Sequence, residues 1–448
     1  MTTMDQLSKL VDWQNGIVAP DIHFDDDIYQ VEAERIFNRA WLVVGHEQMV
    51  PSPGSYVTNY MGEVPVIVSR DKNDKISVLV NKCAHRGAQV CLFDRGKTRG
   101  FVCSYHGWSY GLDGALNGIP MEQAVFPDGV DKSHLGLERV AKMANFHGLL
   151  FASFDPNAPS LEDWLGEELC WFLENFVLSV PVGGLELLPG FHRYQSPGNW
   201  KLLAENFIGD SYHIFHTHVA WLALCQEFAE RGIFTPITTF PMAPGSTLYE
   251  LTTGRNRHAP FGAGMAIADD MAFKNDYEEA QRLGPEAAEW VEHRYRRLQE
   301  VSKDLPVKLY SFMNGAIFPN LCLMGFVSPL IARMFLSFHP RGVRANECWQ
   351  WTMVEREAPQ AVKDIGIARA MHAQNMGGII TPDDVEAFER IVEASSTPRS
   401  WKVPYSLQMQ LGHEADGPAG LPVQLGSTPS EANQRNFYRF WLQMMERS

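Results

Sequence analysis

Two short segments place sulfur and imidazole side by side. They are Cys83-Ala84-His85-Arg86-Gly87 and Cys103-Ser104-Tyr105-His106-Gly107-Trp108, spaced as C-x-H, then 17 residues, then C-x-x-H. Each pair suits a tight loop between strands. Two such loops facing one another offer two thiolates and two imidazoles to one site. Three readings compete. The plainest is four unrelated residues, buried cysteines and hydrogen-bonded histidines. A tetrahedral zinc site is chemically allowed, but common zinc fingers pair Cys with Cys and His with His, whereas the two types alternate here. A two-iron, two-sulfide centre fits the alternation, with both Cys on one iron and both His on the other. Neutral imidazoles in place of thiolates raise its reduction potential. Gly87 and Gly107 suit loops whose N–H groups come close to bridging sulfides.

A second cluster lies in NWKLLAENFIGDSYHIFHTH, residues 199–218, where Asp210, His213, His216 and His218 crowd together. At about 100° per residue, Asp210 and His213 lie on one face of a helix, and His213 and His216 share a face too. His213 and His218 lie about 140° apart on an ideal helix, so they meet at one metal only if the helix is distorted. Geometry alone favours His216 as the partner of His213. The bland alternative is a helix with a few surface or core histidines, which suits a lone His better than three beside an Asp.

These residues need elements to hold them. The chain has 448 residues, enough for two or three domains. Hydrophobic residues make up 45%, which supports a sizeable core and excludes wholesale disorder. Lys plus Arg number 38 against 53 Asp plus Glu, a net charge of −15 that excludes a basic nucleic-acid footprint and strong adhesion to anionic membranes. No apolar run reaches the ~18 residues of a membrane span. No secretory leader is read at the N-terminus, so a cytoplasmic location is expected. Seven sparse cysteines suit core or metal-ligand roles in a reducing compartment.

Residues 41–156 form a β-rich block in which apolar stretches are punctuated by Gly, Pro, Asn and Asp. From 157 onward the pattern is α+β, opened by the capping-box spacing of Ser160 to Asp163. Helices are expected at 200–218, 271–302, 356–374, 382–396 and 430–446. Residues 1–40 are expected to pack on the second block, and the Pro/Gly-rich stretch 412–430 reads as a long loop. The fold class is thus α+β: an N-terminal all-β domain, then a catalytic domain with an antiparallel sheet flanked by helices.

The Cys-His pairs resemble the Rieske [2Fe–2S] family. The second cluster resembles the catalytic segment of the large (α) subunit of Rieske non-haem iron ring-hydroxylating oxygenases, N-W-K-x-x-x-E-N-F-x-G-D-x-Y-H-x-x-x-x-H. Matching positions are Asn199, Trp200, Lys201, Glu205, Asn206, Phe207, Gly209, Asp210, Tyr212, His213 and His218. The resemblance implies that Cys83, His85, Cys103 and His106 hold the cluster. It implies that His213 and His218 bind a mononuclear Fe(II), leaving His216 at a variable position. The third ligand is implied in GGIITPDDVEAFERIVEASS as Asp384, the second Asp of its pair. Thr381-Pro382-Asp383-Asp384 also reads as a plain helix start, with Thr381 as N-cap and Asp383 complementing the dipole.

By the same resemblance, Asp210 bridges His213 to His106 of a neighbouring chain in an α3 trimer or α3β3 hexamer. NADH supplies electrons through a reductase and ferredoxin, and both atoms of O₂ enter an aromatic hydrocarbon as a cis-dihydrodiol. The four-residue gap between His213 and His218, with AENFIGD, resembles the naphthalene and polycyclic aromatic dioxygenase branch. Asn206 is expected beside the iron. Phe207, Ile214, Phe215 and His216 are expected in the substrate pocket, with Leu222 and 308–325 as further apolar wall.

Two rival functions remain. A Rieske monooxygenase, demethylase or aromatic-acid hydroxylase would need a pocket cation in the last case, and the catalytic segment offers only Lys201. A pure electron carrier needs about a hundred residues, and this chain continues with a second ligand set.

Overall fold

In the computed structural model the described residues are 4–210, 212–230, 248–253, 261–267, 270–304, 310–312, 314–325, 328–413, 424–426 and 429–446. The chain divides into two compact units, Phe37–Leu161 and the combination of Met1–Ile36 with Glu162–Ser448.

The Phe37–Leu161 unit is built from small antiparallel sheets. One has four strands, in the order Ile76–Val80, Val64–Arg70, Ser55–Met61, Arg95–Lys97. Another joins Lys142–Phe146, Leu149–Ser153 and Leu42–His46. The third joins Leu116–Gly118, Ser109–Tyr110 and Phe101–Val102. The core beneath the Cys-His segments includes Tyr56, Ile67, Leu79, Phe101, Trp108 and Tyr110. Here the β-rich expectation and the observed elements agree.

The other unit centres on a ten-stranded antiparallel sheet. Arg333–Pro340 is buried at every position, with Met334, Leu336 and Phe338 on one face and the buried polar Arg333, Ser337 and His339 on the other. Its neighbours are Ala345–Glu355 and Leu321–Met324, the latter followed by Asn314–Ile317. The C-terminal helix Ala432–Glu446 brings Phe437 to Trp200 and Phe440 to Phe318, with ring centroids 5.8 and 5.0 Å apart.

The helix expected over 200–218 is interrupted. Trp200–Phe207 is helical, Gly209 takes φ +144°, and the chain resumes as the turn Ile214–Thr217 and the helix Val219–Glu230. Only glycine adopts that backbone readily, and a Cβ at 209 would meet Asn433 Nδ2 at 2.5 Å. The span 271–302 is likewise two helices, Asp270–Leu283 and Pro285–Val301, separated at Gly284 (φ +128°). Gln360–Ala373 and Ile380–Ser395 supply the remaining expected helices. The second starts earlier than its sequence suggests. Thr381 is no N-cap, because the helix begins at Ile380 and the Thr381 hydroxyl donates to Gln374 Oε1 at 3.1 Å. Of the loop expected at 412–430, residues 414–423 and 427–428 lie outside the described residues, and Gln424–Gly426 is a strand.

Candidate metal centres

The helix Trp200–Phe207 is capped by Asn199, whose Oδ1 accepts from Lys201 N at 3.1 Å. Lys201 is fully buried, and its ammonium donates to Glu32 and, at 2.7 Å, to Asn199 Oδ1. Glu32 also accepts from the indoles of Trp200 and Trp441 at 2.8 and 2.7 Å. This pair ties the N-terminal segment to the catalytic helix. Lys201 is not among the residues that line the cavity beside the iron ligands, so it offers no cation there for an acidic substrate.

The break at Gly209 changes the angular arithmetic. His213 precedes the turn Ile214–Thr217 and His218 follows it with φ −103°, ψ 27°. Their rings come together, with centroids 5.1 Å apart. His216 faces away and is exposed. The ideal-helix preference for His216 therefore fails because no single helix spans these residues.

Asp384, in the second turn of Ile380–Ser395, completes the group. Its Oδ1 lies 3.5 Å from His213 Nε2 and 3.2 Å from His218 Nε2. Among the described residues these three form the group whose donor atoms all lie within 4.8 Å of one another. The far side of each ring is held as well. His213 Nδ1 lies 2.6 Å from the Asp210 carbonyl, and His218 Nδ1 lies 3.2 Å from Asp383 Oδ2. Each Nδ1–H donates outward, so each Nε2 lone pair points at Asp384. The Asp384 Oδ1 is buried and makes no hydrogen bond. A buried carboxylate facing two imidazole lone pairs lacks only a cation, so these residues fit a divalent metal.

Asp210 plays two local parts. Its carbonyl takes the His213 ring, while its carboxylate accepts the His213 backbone N–H at 3.2 Å and stays 3.4 Å from Nδ1. Asn206 Nδ2 lies 3.4 Å from His213 Nε2, at the edge of the metal position.

A cavity of about 410 Å³ opens beside the three ligands. Asn206, Phe207 and Ile214 line it as the sequence suggested. Phe215 and His216 do not. Ile214 is turned inward, and the next two residues lie about 100° and 200° farther round a helical turn. Leu222 packs against the core cluster that contains Trp221, and it is Trp221 that takes the wall position. The strands contribute Asn314 and Met324, which are cross-strand partners on one face. Gln374 and Ile380 close the other side. Sequence reasoning missed Trp221, Gln374 and Ile380. It expected only apolar wall from 308–325, where Asn314 is polar.

In the smaller unit the two Cys-His loops are near copies. The Cys83 carbonyl accepts from Gly87 N at 2.9 Å, and Cys83 N donates to Ala88 O at 2.8 Å. Cys103 repeats this with Gly107 and Trp108, at 2.9 and 2.8 Å. Both glycines have positive φ, +76° and +72°. Both cysteines are buried and free of disulfides, whereas both histidines are exposed. The rings of His85 and His106 lie 4.5 Å apart, and Trp108 stacks on His85 at 4.9 Å. The Tyr110 hydroxyl sits 3.0 Å from Cys83 Sγ. Burial, and then Cys83, raise its pKa, which keeps it a phenol able to donate to the sulfur. A buried thiol pair opposite an exposed imidazole pair fits a centre with one iron inward and one outward.

Comparison with known proteins adds an independent line. Residues 40–133 match the Rieske [2Fe-2S] domain model. Residues 190–447 match that of the ring hydroxylating alpha subunit (catalytic domain). The chain is 32% identical over 450 residues to the chlorobenzene dioxygenase subunit alpha of Cupriavidus sp. (strain PS12), covering 99% of this chain and 94% of that one. It is 31% identical over 420 residues to the large oxygenase component of the naphthalene 1,2-dioxygenase system of Pseudomonas aeruginosa, covering 93% and 89%. Among solved structures, naphthalene 1,2-dioxygenase from Rhodococcus sp. bound to indole superposes with a TM-score of 0.79 at 28% identity, covering 99% of both chains. Single-ring and two-ring enzymes are thus about equally similar in sequence.

Proposed function

Because the chain belongs to the ring-hydroxylating oxygenase α subunits, we propose that it adds both atoms of O₂ to a neutral bicyclic or polycyclic arene, giving a cis-dihydrodiol. It is an aromatic ring-hydroxylating dioxygenase subunit with a Rieske cluster and a mononuclear iron. In this reading Cys83, Cys103, His85 and His106 hold the cluster, and His213, His218 and Asp384 hold the iron. When bound, the cluster supplies electrons one at a time and the iron supplies open coordination positions at which oxygen meets the arene.

The chain's own residues prepare the rest. Asp384 contributes the single negative charge, and the carbonyl of Asp210 and the carboxylate of Asp383 hold the two rings in metal-binding tautomers. Phe207, Ile214, Trp221, Met324 and Ile380 keep the cavity largely apolar, which excludes water. The Asp210 side chain is about one-third exposed and His106 is exposed, so both are available to a neighbouring copy. That supports Asp210 as the electron bridge to the neighbour's cluster in a trimer or a hexamer with a small β subunit. A separate reductase and ferredoxin would deliver electrons from NADH. Among the described residues no helix is long and apolar enough to cross a membrane, in keeping with a cytoplasmic site of action.

The observation that carries this reading is the buried, unpartnered Asp384 Oδ1 facing His213 and His218 at the head of an apolar cavity. An aromatic acid is disfavoured, since no Lys or Arg lines the cavity among the described residues and Lys201 is bound to Glu32. Turnover of naphthalene under ¹⁸O₂, with reductase and ferredoxin supplied, tests it. Two labelled oxygens in one dihydrodiol are expected; a singly labelled alcohol or a demethylated product would move the chain to the monooxygenase alternative.

A further inference from the structure

The cavity wall is apolar except for three carboxamides, those of Asn206, Asn314 and Gln374. Each of the first and last has one polar atom engaged, and among the described residues neither is left with a buried polar atom lacking a partner. Asn206 Nδ2 faces His213, and Gln374 Oε1 accepts from the Thr381 hydroxyl. Asn314 differs. It is 95% buried on the strand Asn314–Ile317, and its Nδ2 donates to the Phe207 carbonyl at 3.4 Å. That carbonyl ends the helix Trp200–Phe207 and can only accept, so the amide orientation is set and Oδ1 is the atom left over. Among the described residues this Oδ1 is buried with no hydrogen-bond partner.

A buried acceptor without a partner is costly, and this one belongs to a side chain that lines the cavity beside the metal position. We propose that Asn314 is a specificity-determining residue whose Oδ1 accepts a hydrogen bond from an O–H or N–H group on the substrate. The preferred substrate class is then a neutral arene bearing such a donor, such as a hydroxylated or N–H-containing bicycle, rather than the bare hydrocarbon. A carboxylate or phenolate has no donor and would set one acceptor oxygen against another. This deepens the oxygenase reading and rests on it for the fate of the ring. Recognition itself is a binding event and needs no turnover.

The test is equilibrium binding to the holoenzyme, read by quenching of tryptophan fluorescence, since Trp221 lines the same cavity. The probes are 2-naphthol, 2-methoxynaphthalene and naphthalene, of which only the first carries a donor. We expect 2-naphthol to bind about tenfold more tightly than 2-methoxynaphthalene, the worth of one buried neutral hydrogen bond. Asn314→Leu is expected to abolish that preference, read as the ratio of the 2-naphthol and 2-methoxynaphthalene dissociation constants. A preference absent from the unaltered protein overturns the proposal whether or not the variant folds. A preference that survives in Asn314→Leu overturns it as well. Dihydroxylation of naphthalene without any donor preference would sink the role of Asn314 alone and leave the oxygenase reading standing.

Discussion

Asp383 Oδ2 and Asp384 Oδ1 approach the His218 ring from opposite sides, each at 3.2 Å, the first at Nδ1 and the second at Nε2. Two consecutive carboxylates at one helix start therefore serve one imidazole in different ways. Asp384 faces the metal position, and Asp383 fixes the tautomer that exposes the lone pair. The dipole-complementing role expected of Asp383 from sequence leaves this hydrogen bond out of account.

Replacing Asp383 should weaken the iron site without removing it. Loss of a carboxylate that orients a ligand histidine typically costs about 10–100-fold in metal affinity. Asp383→Ala should fall in that range and Asp383→Asn should lose less, because its amide oxygen still accepts. Titration of Fe(II) into enzyme lacking only the mononuclear iron, with cluster absorbance as internal control, checks this. Unchanged affinity in Asp383→Ala would remove the role.

Asp210→Asn should keep both metal centres yet largely stop turnover. The His213 ring is held by the main-chain carbonyl of residue 210, which the substitution leaves in place. What changes is the carboxylate. Metal analysis and the cluster spectrum should match the wild type, while product formation falls sharply. Normal turnover would refute the bridge.

Lys201 has a structural task. Removing one partner of a buried ion pair strands the other, at a typical cost of about 3–5 kcal/mol. Lys201→Met should destabilise the protein by that order, and adding Glu32→Gln should recover part of the loss. Urea midpoints measure both. A single variant as stable as the wild type would show that Glu32 is compensated elsewhere.

Asp276 should make stability pH-dependent. Burial raises its pKa from 3.8 to about 6 against hydrogen bonds from Ser328 and Tyr310. A carboxyl that holds its proton more tightly when folded stabilises the fold fully below pH ~4, and that contribution fades as pH rises through about 6. It amounts to at most about 3 kcal/mol. Asp276→Asn cannot titrate. The stability advantage of wild type over the variant should therefore shrink between pH 4 and 6 and then level off; a constant difference across that range would contradict the assignment.

Much of the chemistry was legible before any fold was known. The C-x-H and C-x-x-H pairs, the Asp-x-x-His run and the Asp-Asp pair are local features, and ligand type is a property of the residue itself. Packing of the N-terminal segment was expected, but its means, Glu32 against Lys201, was not, because burial of an ion pair cannot be read from spacing.

Sequence by itself determined the classes of chemistry: two thiols with two imidazoles in a β-rich block, then histidines and carboxylates in an α+β one. Only the tertiary structure decided which atoms meet. Periodicity assumes a continuous helix, and Gly209 breaks it, so His218 replaces His216 beside His213. Helix-start rules assume a free end, and the hydrogen bond to Gln374 draws Thr381 inside the helix. The cavity wall needs Asn314 and Met324 from paired strands and Gln374 from near the end of a distant helix. Residues so far apart in the chain become neighbours through sheet register and helix packing, and no local pattern encodes that.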